Sequence, residues 1–259
     1  MSELGASEIL ARFDEERRTL SPPGFRREKS PGVSRSIPRG SKWGWIEWSS
    51  HSPAEIDAAI ENEIAHFTAL GCSFEWKVYD HDAPADLRQR LAARGFVVGG
   101  AEAFLVVPIR DLVLPEGAPA DVRRVETAGQ LEEYLSVEQA MWPDDGGISW
   151  TESERRFREH ANAEGYYVGY ADGQPVSSAR ITFREGSHFA GLFGAATREA
   201  FRGRGLYTSL VAARAAEACQ RGVHYLFADA APTSRPILER RGFRCLSHTY
   251  PCTWRVDQA

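Results

Sequence analysis

Thr197-Arg-Glu-Ala-Phe-Arg202-Gly203-Arg204-Gly205-Leu206-Tyr207-Thr208 is the stretch from which the rest of the chain is read. Before it, Phe189-Ala-Gly-Leu-Phe-Gly-Ala-Ala196 has the short apolar run of a buried strand, and after it Leu206 to Arg221 is alanine-rich and amphipathic, as a helix is. Gly203 and Gly205 let backbone N–H groups face a ligand with no Cβ in the way. The positive end of the following helix adds to the charges of Arg198, Arg202 and Arg204. The stretch reads as an anion site.

What is missing narrows the choice of anion. No Gly-Lys-Ser/Thr follows, which leaves no hydroxyl for Mg²⁺ and argues against a nucleoside triphosphate. The glycines are too closely spaced for G-x-G-x-x-G, and no ribose-binding acid follows at the expected distance. Arg202-Gly-Arg-Gly205 at a strand end resembles the acyl-CoA pyrophosphate loop of the GNAT (Gcn5-related N-acetyltransferase) family, whose pattern is Q/R-x-x-G-x-G/A. Here Ala200 stands in the Q/R place. A glycine-arginine turn also serves as a plain helix start, so the residues beyond it matter. Val223 to Asp229 reads as a buried strand, Pro232 to Arg241 as a short helix, and Gly242-Phe243 as its C-cap and the lead into a last hairpin. Ser234-x-x-x-Leu-Glu-Arg-Arg-Gly-Phe243 is similar to the closing motif of the family.

The 259 residues leave room for two domains. Hydrophobic residues make up 42% and charged residues 26%, the balance of a globular protein, and no apolar stretch approaches the ~20 residues of a membrane span. Met1 to Ala6 lacks the basic start and apolar core of a secretion signal, so a cytoplasmic protein without a membrane partner is expected. A net charge of -5, with arginines interleaved among acids, argues against nucleic acid as a partner. Cys72, Cys219, Cys245 and Cys252 have no C-x-x-C spacing; Cys245 and Cys252 can face each other across the last hairpin, but free thiols are the default. The scattered histidines form no H-x-x-x-H pair, and no metal is expected.

The chain states one plan twice. Ile56, Ile60, Ile64, Phe67 and Gly71 recur at steps of four, four, three and four, as do Tyr207, Val211, Ala215, Ala218 and Gly222. Phe74 and Trp76 alternate as Tyr225 and Phe227 do, and Leu91-Ala-Ala-Arg-Gly-Phe96 parallels Leu238-Glu-Arg-Arg-Gly-Phe243. Ahead of the first copy, Ser7 to Leu20 is an amphipathic helix on Ile9, Leu10, Phe13 and Arg17. A hairpin turns at Ser30-Pro-Gly32, and Trp43 to Trp48 alternates as a strand. Pro108 to Ala120 has the composition of a linker, with the boundary near Pro115. Beyond it come a strand from Asp121, helices capped by Thr127 and by Thr151-Glu-Ser-Glu154, and a hairpin turning at Asp172-Gly173. The expected fold class is α/β, with mixed sheets flanked by helices. It consists of two GNAT-like folds in tandem, a degenerate domain over 1–114 and an acetyltransferase domain over 115–259. In the first copy the glycine loop is replaced by His51-Ser-Pro-Ala54. Ser52-Pro-Ala-Glu55 is a capping box that satisfies the helix end with its own side chains.

The resemblance implies a site. Acetyl-CoA is expected between the strand ending at Thr197 and the strand ending at Asp229. Ala195 and Thr197 would hold pantetheine; Arg202, Gly203, Arg204, Gly205, Leu206, Tyr207 and Thr208 would hold the pyrophosphate; Ser234 would lie beside the CoA tail unless it is only a cap. Gly191 and Ala196 fit either a pantetheine path or core spacing. Family members often carry a Glu where this chain has Gly191 and a Tyr where it has Leu238, which leaves the proton route open. Asp229 and His188 are the nearest candidates by topology. His248, Tyr250, Trp142, Asp144 and Asp145 stand where the family builds its acceptor pocket, though two acids in a loop also suit plain solvation. The implied function is transfer of acetyl to a small-molecule amine by a monomer or homodimer; the alternative is a CoA-binding sensor or scaffold without catalysis. Gly205→Val, which adds branched bulk at the helix entrance, is expected to abolish acetyl-CoA binding while leaving the melting of the free protein within a few degrees, and Ala54→Val to leave CoA affinity unchanged.

Overall fold

The computed structural model describes residues 4–39, 42–114, 120–142 and 150–256, and of residues 150–153 the backbone alone. In chain order the elements are α1 (Ala6–Thr19), β1 (Phe25–Ser30), β2 (Val33–Pro38), β3 (Trp43–Ser49), α2 (Ile56–Ala69), β4 (Ser73–Tyr79), α3 (Leu87–Ala93), β5 (Val97–Val98), β6 (Glu102–Pro108), β7 (Asp121–Arg124), α4 (Ala128–Met141), α5 (Trp150–Glu159), β8 (Glu164–Ala171), β9 (Gln174–Phe183), β10 (Phe189–Thr197), α6 (Leu206–Gln220), β11 (Tyr225–Ala230), α7 (Arg235–Glu239) and β12 (Arg244–Trp254).

They form two compact units that are not consecutive stretches of chain. The first holds residues 1–104, 230–233 and 245–259; the second holds 105–229 and 234–244. Pro115, the expected boundary, lies outside the described residues. Each unit takes its last strand from the other half of the sequence. In the first, the order is β1-β2-β3-β4-β12, and β12 pairs antiparallel with β4 from Thr249↔Tyr79 to Trp254↔Phe74. In the second, the order is β7-β8-β9-β10-β11-β6, so the strand beside β11 comes from ahead of the linker. Ala103 to Val107 in β6 are all buried, a continuous apolar run of the kind a central strand shows.

The repeat is visible in the pairings. β1, β2 and β3 run antiparallel to one another and β3 then pairs parallel with β4; β8, β9 and β10 do the same before the parallel pair β10–β11. Ile56, Ile60 and Phe67 of α2 are fully buried as its stripe predicts, with Phe67 stacked on Phe74 at 4.2 Å. The next buried position of each helix is charged: Glu63 in α2 and Arg214 in α6, each three residues after Ile60 and Val211. A stripe read from apolar residues alone misses both. Glu63 is held by the Arg35 guanidinium at 2.8 Å, which ties α2 to the first hairpin. Arg214 donates to the carbonyls of Leu210 and Arg180, which ties α6 to β9; burial pushes it down to about 10.

In the second unit β8 divides its residues between two helices by strict alternation. Tyr166, Val168 and Tyr170 join Leu131 and Tyr134 of α4 in one core, while Tyr167 and Gly169 face Glu217 and Leu206 of α6. Burying Val168 or Leu131 contributes about 1.5–3 kcal/mol each. The hairpin turns at Asp172 and Gly173, with φ of 53° and 76°, the left-handed pair that a two-residue turn requires.

Four expectations are corrected. The last hairpin is the single strand β12: from Arg244 to Trp254 there is no Gly, Asn or Asp to reverse the chain. Cys245 and Cys252 therefore stand on one strand as free thiols. The helix expected over 232–241 shortens to Arg235–Glu239, and α5 already includes Thr151, so that residue does not precede the helix as a cap. At Ser52–Glu55 the carboxylate accepts from the Ser52 N–H (3.0 Å) and hydroxyl (2.6 Å), while the hydroxyl caps no backbone N–H; α2 begins at Ile56.

Candidate cofactor cleft and acetyl-transfer site

The site begins where two parallel strands part. Paired positions between β10 and β11 run from Phe189↔Tyr225 to Gly191↔Phe227, yet β10 continues to Thr197 and β11 to Ala230. On its other side β10 bulges: Phe193 pairs Arg180 and Ala196 pairs Ser178, leaving Gly194 and Ala195 opposite Ala179 alone. A bulge beside a parting strand turns backbone amides out of the ladder, where an extended ligand can take up their hydrogen bonds. Gly194, at φ 56°, makes that bend with a backbone that L side chains rarely adopt.

The loop after β10 is an open helix end. Gly203 and Gly205 have φ of 76° and 78°, and a Cβ on either meets nothing within 4 Å. Gly205 is the N-cap of α6 and has no side chain to satisfy the first N–H groups, so those of Leu206, Tyr207 and Thr208 point away from the helix without intrahelical partners. Arg202 and Arg204 are exposed beside them. Arg202 Nε donates to the Thr197 carbonyl at 3.3 Å, and Arg204 lies 3.8 Å from Asp172. Space for a Cβ does not make the substitution harmless: the left-handed backbone at Gly205 strains any other residue, so the expectation that Gly205→Val leaves the fold nearly untouched is corrected.

The structure brings several expected residues together. Tyr207 and Ser234 share a side-chain hydrogen bond, and burial pushes the Tyr207 phenol up. Ser234 makes no capping bond to its own short helix. Thr197 pairs with Ser177 in the ladder, hydroxyl to hydroxyl at 2.7 Å, and its carbonyl is turned to Arg202. Asp229 lies two residues past the last β10–β11 pair, in the parted region; His188 lies behind the first pair, its carbonyl accepting from His224 and Tyr225 at 3.0 Å. His188 is thus at the closed end of the strand pair. Trp142 is exposed, and Asp144 and Asp145 lie outside the described residues. His248 and Tyr250 belong to the first unit, His248 beside Asp80 at 3.3 Å and Tyr250 under the Arg88 guanidinium at 3.7 Å.

The space beside Gly191 is filled, as core spacing requires. A Cβ there would lie 2.3 Å from Phe193 Cε2 and 2.8 Å from Phe227 Cζ, so two rings fill the space a longer side chain needs. Leu238 is likewise buried at 1% exposure. A carboxylate that sequence reasoning passed over lies close by: Glu138 of α4, whose Oε1 stands 3.1 Å from the Cβ that Gly194 lacks. It accepts from the Tyr134 hydroxyl, and burial pushes its carboxyl up, against that hydrogen bond and the charges of Arg180 and Arg156. The spacing of Leu131, Leu135, Glu138 and Trp142 puts this carboxylate on the apolar face of α4, and that is the signal that could have found it.

Residues 131–243 match the family model described as "Acetyltransferase (GNAT) family". The chain carries a GNAT domain. No curated protein matches it. Among solved structures it is similar to a GCN5-related N-acetyltransferase from Kribbella flavida, at 18% identity over 96% of this chain and 93% of that one, with a TM-score of 0.67. A tandem GNAT protein from the clavulanic acid biosynthesis pathway is similar at 14% identity over 92% and 85%, TM-score 0.57. A conserved protein of unknown function from Staphylococcus epidermidis gives 14%, 88%, 93% and 0.67. At these identities the likeness is one of fold, and it extends beyond the matched GNAT domain to most of the chain.

The first unit's counterpart of this cleft is filled by its own residues. Past the last β3–β4 pair, Ile46↔Trp76, the buried Arg17 donates to the Glu47 carbonyl at 2.8 Å and pairs with Asp82 at 3.0 Å, and an isolated parallel bridge Ser50↔Ala83 joins the segments that follow the two strands. The Glu55 carboxylate stands just ahead of α2, held ionised by its hydrogen bonds from Ser52, and a negative charge there repels a phosphate. Among the described residues no helix is long and apolar enough to cross a membrane.

Proposed function

We propose that the second unit is an acetyl-CoA-dependent N-acetyltransferase with a small-molecule amine as acceptor, and that the first unit binds no CoA. The observation that carries this reading is the uncapped N-terminus of α6, with two left-handed glycines and two exposed arginines, set at the end of a strand that parts from its neighbour. The residues fit the co-substrate: backbone N–H groups of 203–208 with Arg202 and Arg204 for pyrophosphate, and the free edge of Leu192 to Ala196 for pantetheine amides. Acetyl-CoA supplies the activated acyl group; the chain supplies orientation, exclusion of water and a route for the amine proton. Four free thiols agree with a reducing compartment such as the cytoplasm.

A second reading, a CoA-binding sensor, is favoured by the rings over Gly191 and by buried Leu238, which occupy the positions of the usual catalytic groups. Calorimetric titration with acetyl-CoA, followed by a thiol-release assay over spermidine, glucosamine, lysine and tyramine, separates the two. Binding with turnover supports the enzyme, binding without turnover supports the sensor, and absence of binding contradicts both.

A further inference from the structure

An amine attacks a thioester only through its lone pair, and an alkylammonium of pKa ~10.4 is almost wholly protonated at neutral pH. Something in the cleft must therefore accept a proton, and the β10 position matching the family's glutamate is closed by Phe193 and Phe227. We propose that Glu138 of α4 is the catalytic base of the second unit, reaching the acceptor's ammonium group beside the β10 bulge at Gly194. The assignment rests on the acetyltransferase reading given above.

Three geometric facts carry it. Glu138 Oε1 and the Tyr134 hydroxyl oxygen lie 3.1 and 3.6 Å from where a Gly194 Cβ would be, so the carboxylate stands against the one stretch of β10 that leaves the ladder. That stretch lies three residues past Gly191 on the same strand, and the face is the same one. Gly191 pairs with Thr182 and Thr182 with Glu164, in line with Tyr166, Arg180 and Phe193 on the α4 side of the sheet. Lastly, Gly194 has no side chain, and any other residue there would press on the carboxylate. The carboxylate lost from the strand is thereby replaced by one from the helix across that face.

The surroundings suit a base. Facing Glu138 are Tyr134 from its own helix, Arg180 from β9 and Arg156 from α5, while Glu164 and Tyr166 of β8 act on Arg180; Phe193, Gly191 and Gly194 of β10 bring no titratable group. Arg156 and the Tyr166 hydroxyl are both engaged by Glu164, which leaves Tyr134 as the direct hydrogen-bond donor to Glu138 among the described residues. Burial holds the carboxyl above the usual range, nearer the pH at which it must work. In the reaction the ammonium proton passes to Glu138, the nitrogen lone pair forms the N–C bond, and the C–S bond breaks. The second N–H proton leaves with the thiolate as CoA thiol, and Glu138 returns its proton to solvent.

The test uses the full chain and the amine of the panel that the wild type acetylates fastest. For Glu138→Gln we expect an unchanged Kd for acetyl-CoA, a kcat lower by about 100-fold or more, and loss of the wild-type acid limb from the kcat–pH profile. Tyr134→Phe removes a donor that favours the ionised carboxylate, so its acid limb is expected to move to higher pH, a shift that a merely structural contact would not give. Wild-type kcat and an unmoved limb in both variants overturn the assignment and leave the acetyltransferase reading standing. Absence of turnover by the wild type with every amine of the panel overturns both.

Discussion

Glu138 and Gly191 show at the scale of single residues how this cleft balances function against stability. A carboxyl whose folded pKa is raised is destabilising once ionised: the folded state binds more protons than the unfolded one between the ordinary Glu value of ~4.3 and the raised value, so stability falls as pH rises through that window. Glu138→Gln removes this loss. Thermal melts are expected to place the variant above wild type at pH 8 by more than at pH 4; an equal difference, or the reverse order, contradicts the burial argument. At Gly191 the prediction runs the other way. Even Gly191→Ala must displace the Phe193 ring, and it is expected to cost about 1–3 kcal/mol as overpacking, read as a lower denaturant midpoint at unchanged slope. A variant as stable as wild type would show that the rings yield freely and that their contact does not explain the glycine.

At the scale of elements, helix starts separate the two copies. The N-terminus of α4 is closed by Thr127, whose hydroxyl accepts from the Gln130 backbone N–H at 3.3 Å while the Gln130 side-chain Oε1 accepts from the Thr127 N–H at 3.1 Å. That of α6 is left open by Gly205, and α2 is preceded by the Glu55 carboxylate. Thr127→Ala is expected to cost about 1 kcal/mol in chemical denaturation, and no change would mean that packing under Tyr134 alone sets the start of α4. These elements were legible in sequence because each rests on local rules: alternation, turn chemistry at Asp172-Gly173, capping residues. What escaped was set by distant partners. Glu63 and Arg214 break an apolar stripe because Arg35 and the Arg180 carbonyl meet them from other strands. Glu138 shares the apolar face of α4, but its role depends on the β10 bulge that meets it from the sheet.

At the scale of the whole molecule, the order of strands in space departs from their order in the chain. The sequence repeat marks two copies, but no local signal tells that β12 will pair with β4 or that β6 will lie beside β11, since exchange keeps every strand's own pattern. Truncation after Arg244 is therefore expected to unfold the first unit, from which it removes β12 with the buried Cys252 and Trp254. Loss of the near-ultraviolet signal of its core tryptophan Trp76 would report it, and a truncated chain with that signal intact would contradict the exchange. The cofactor claim, too, belongs to the whole chain, because it says that one of two related helix ends binds and the other does not. Hydrogen–deuterium exchange of the intact protein with and without acetyl-CoA tests it without altering a residue. Added protection is predicted at 192–197 and 202–208 and none at 51–56; protection at 51–56, or no change at 202–208, would contradict the account.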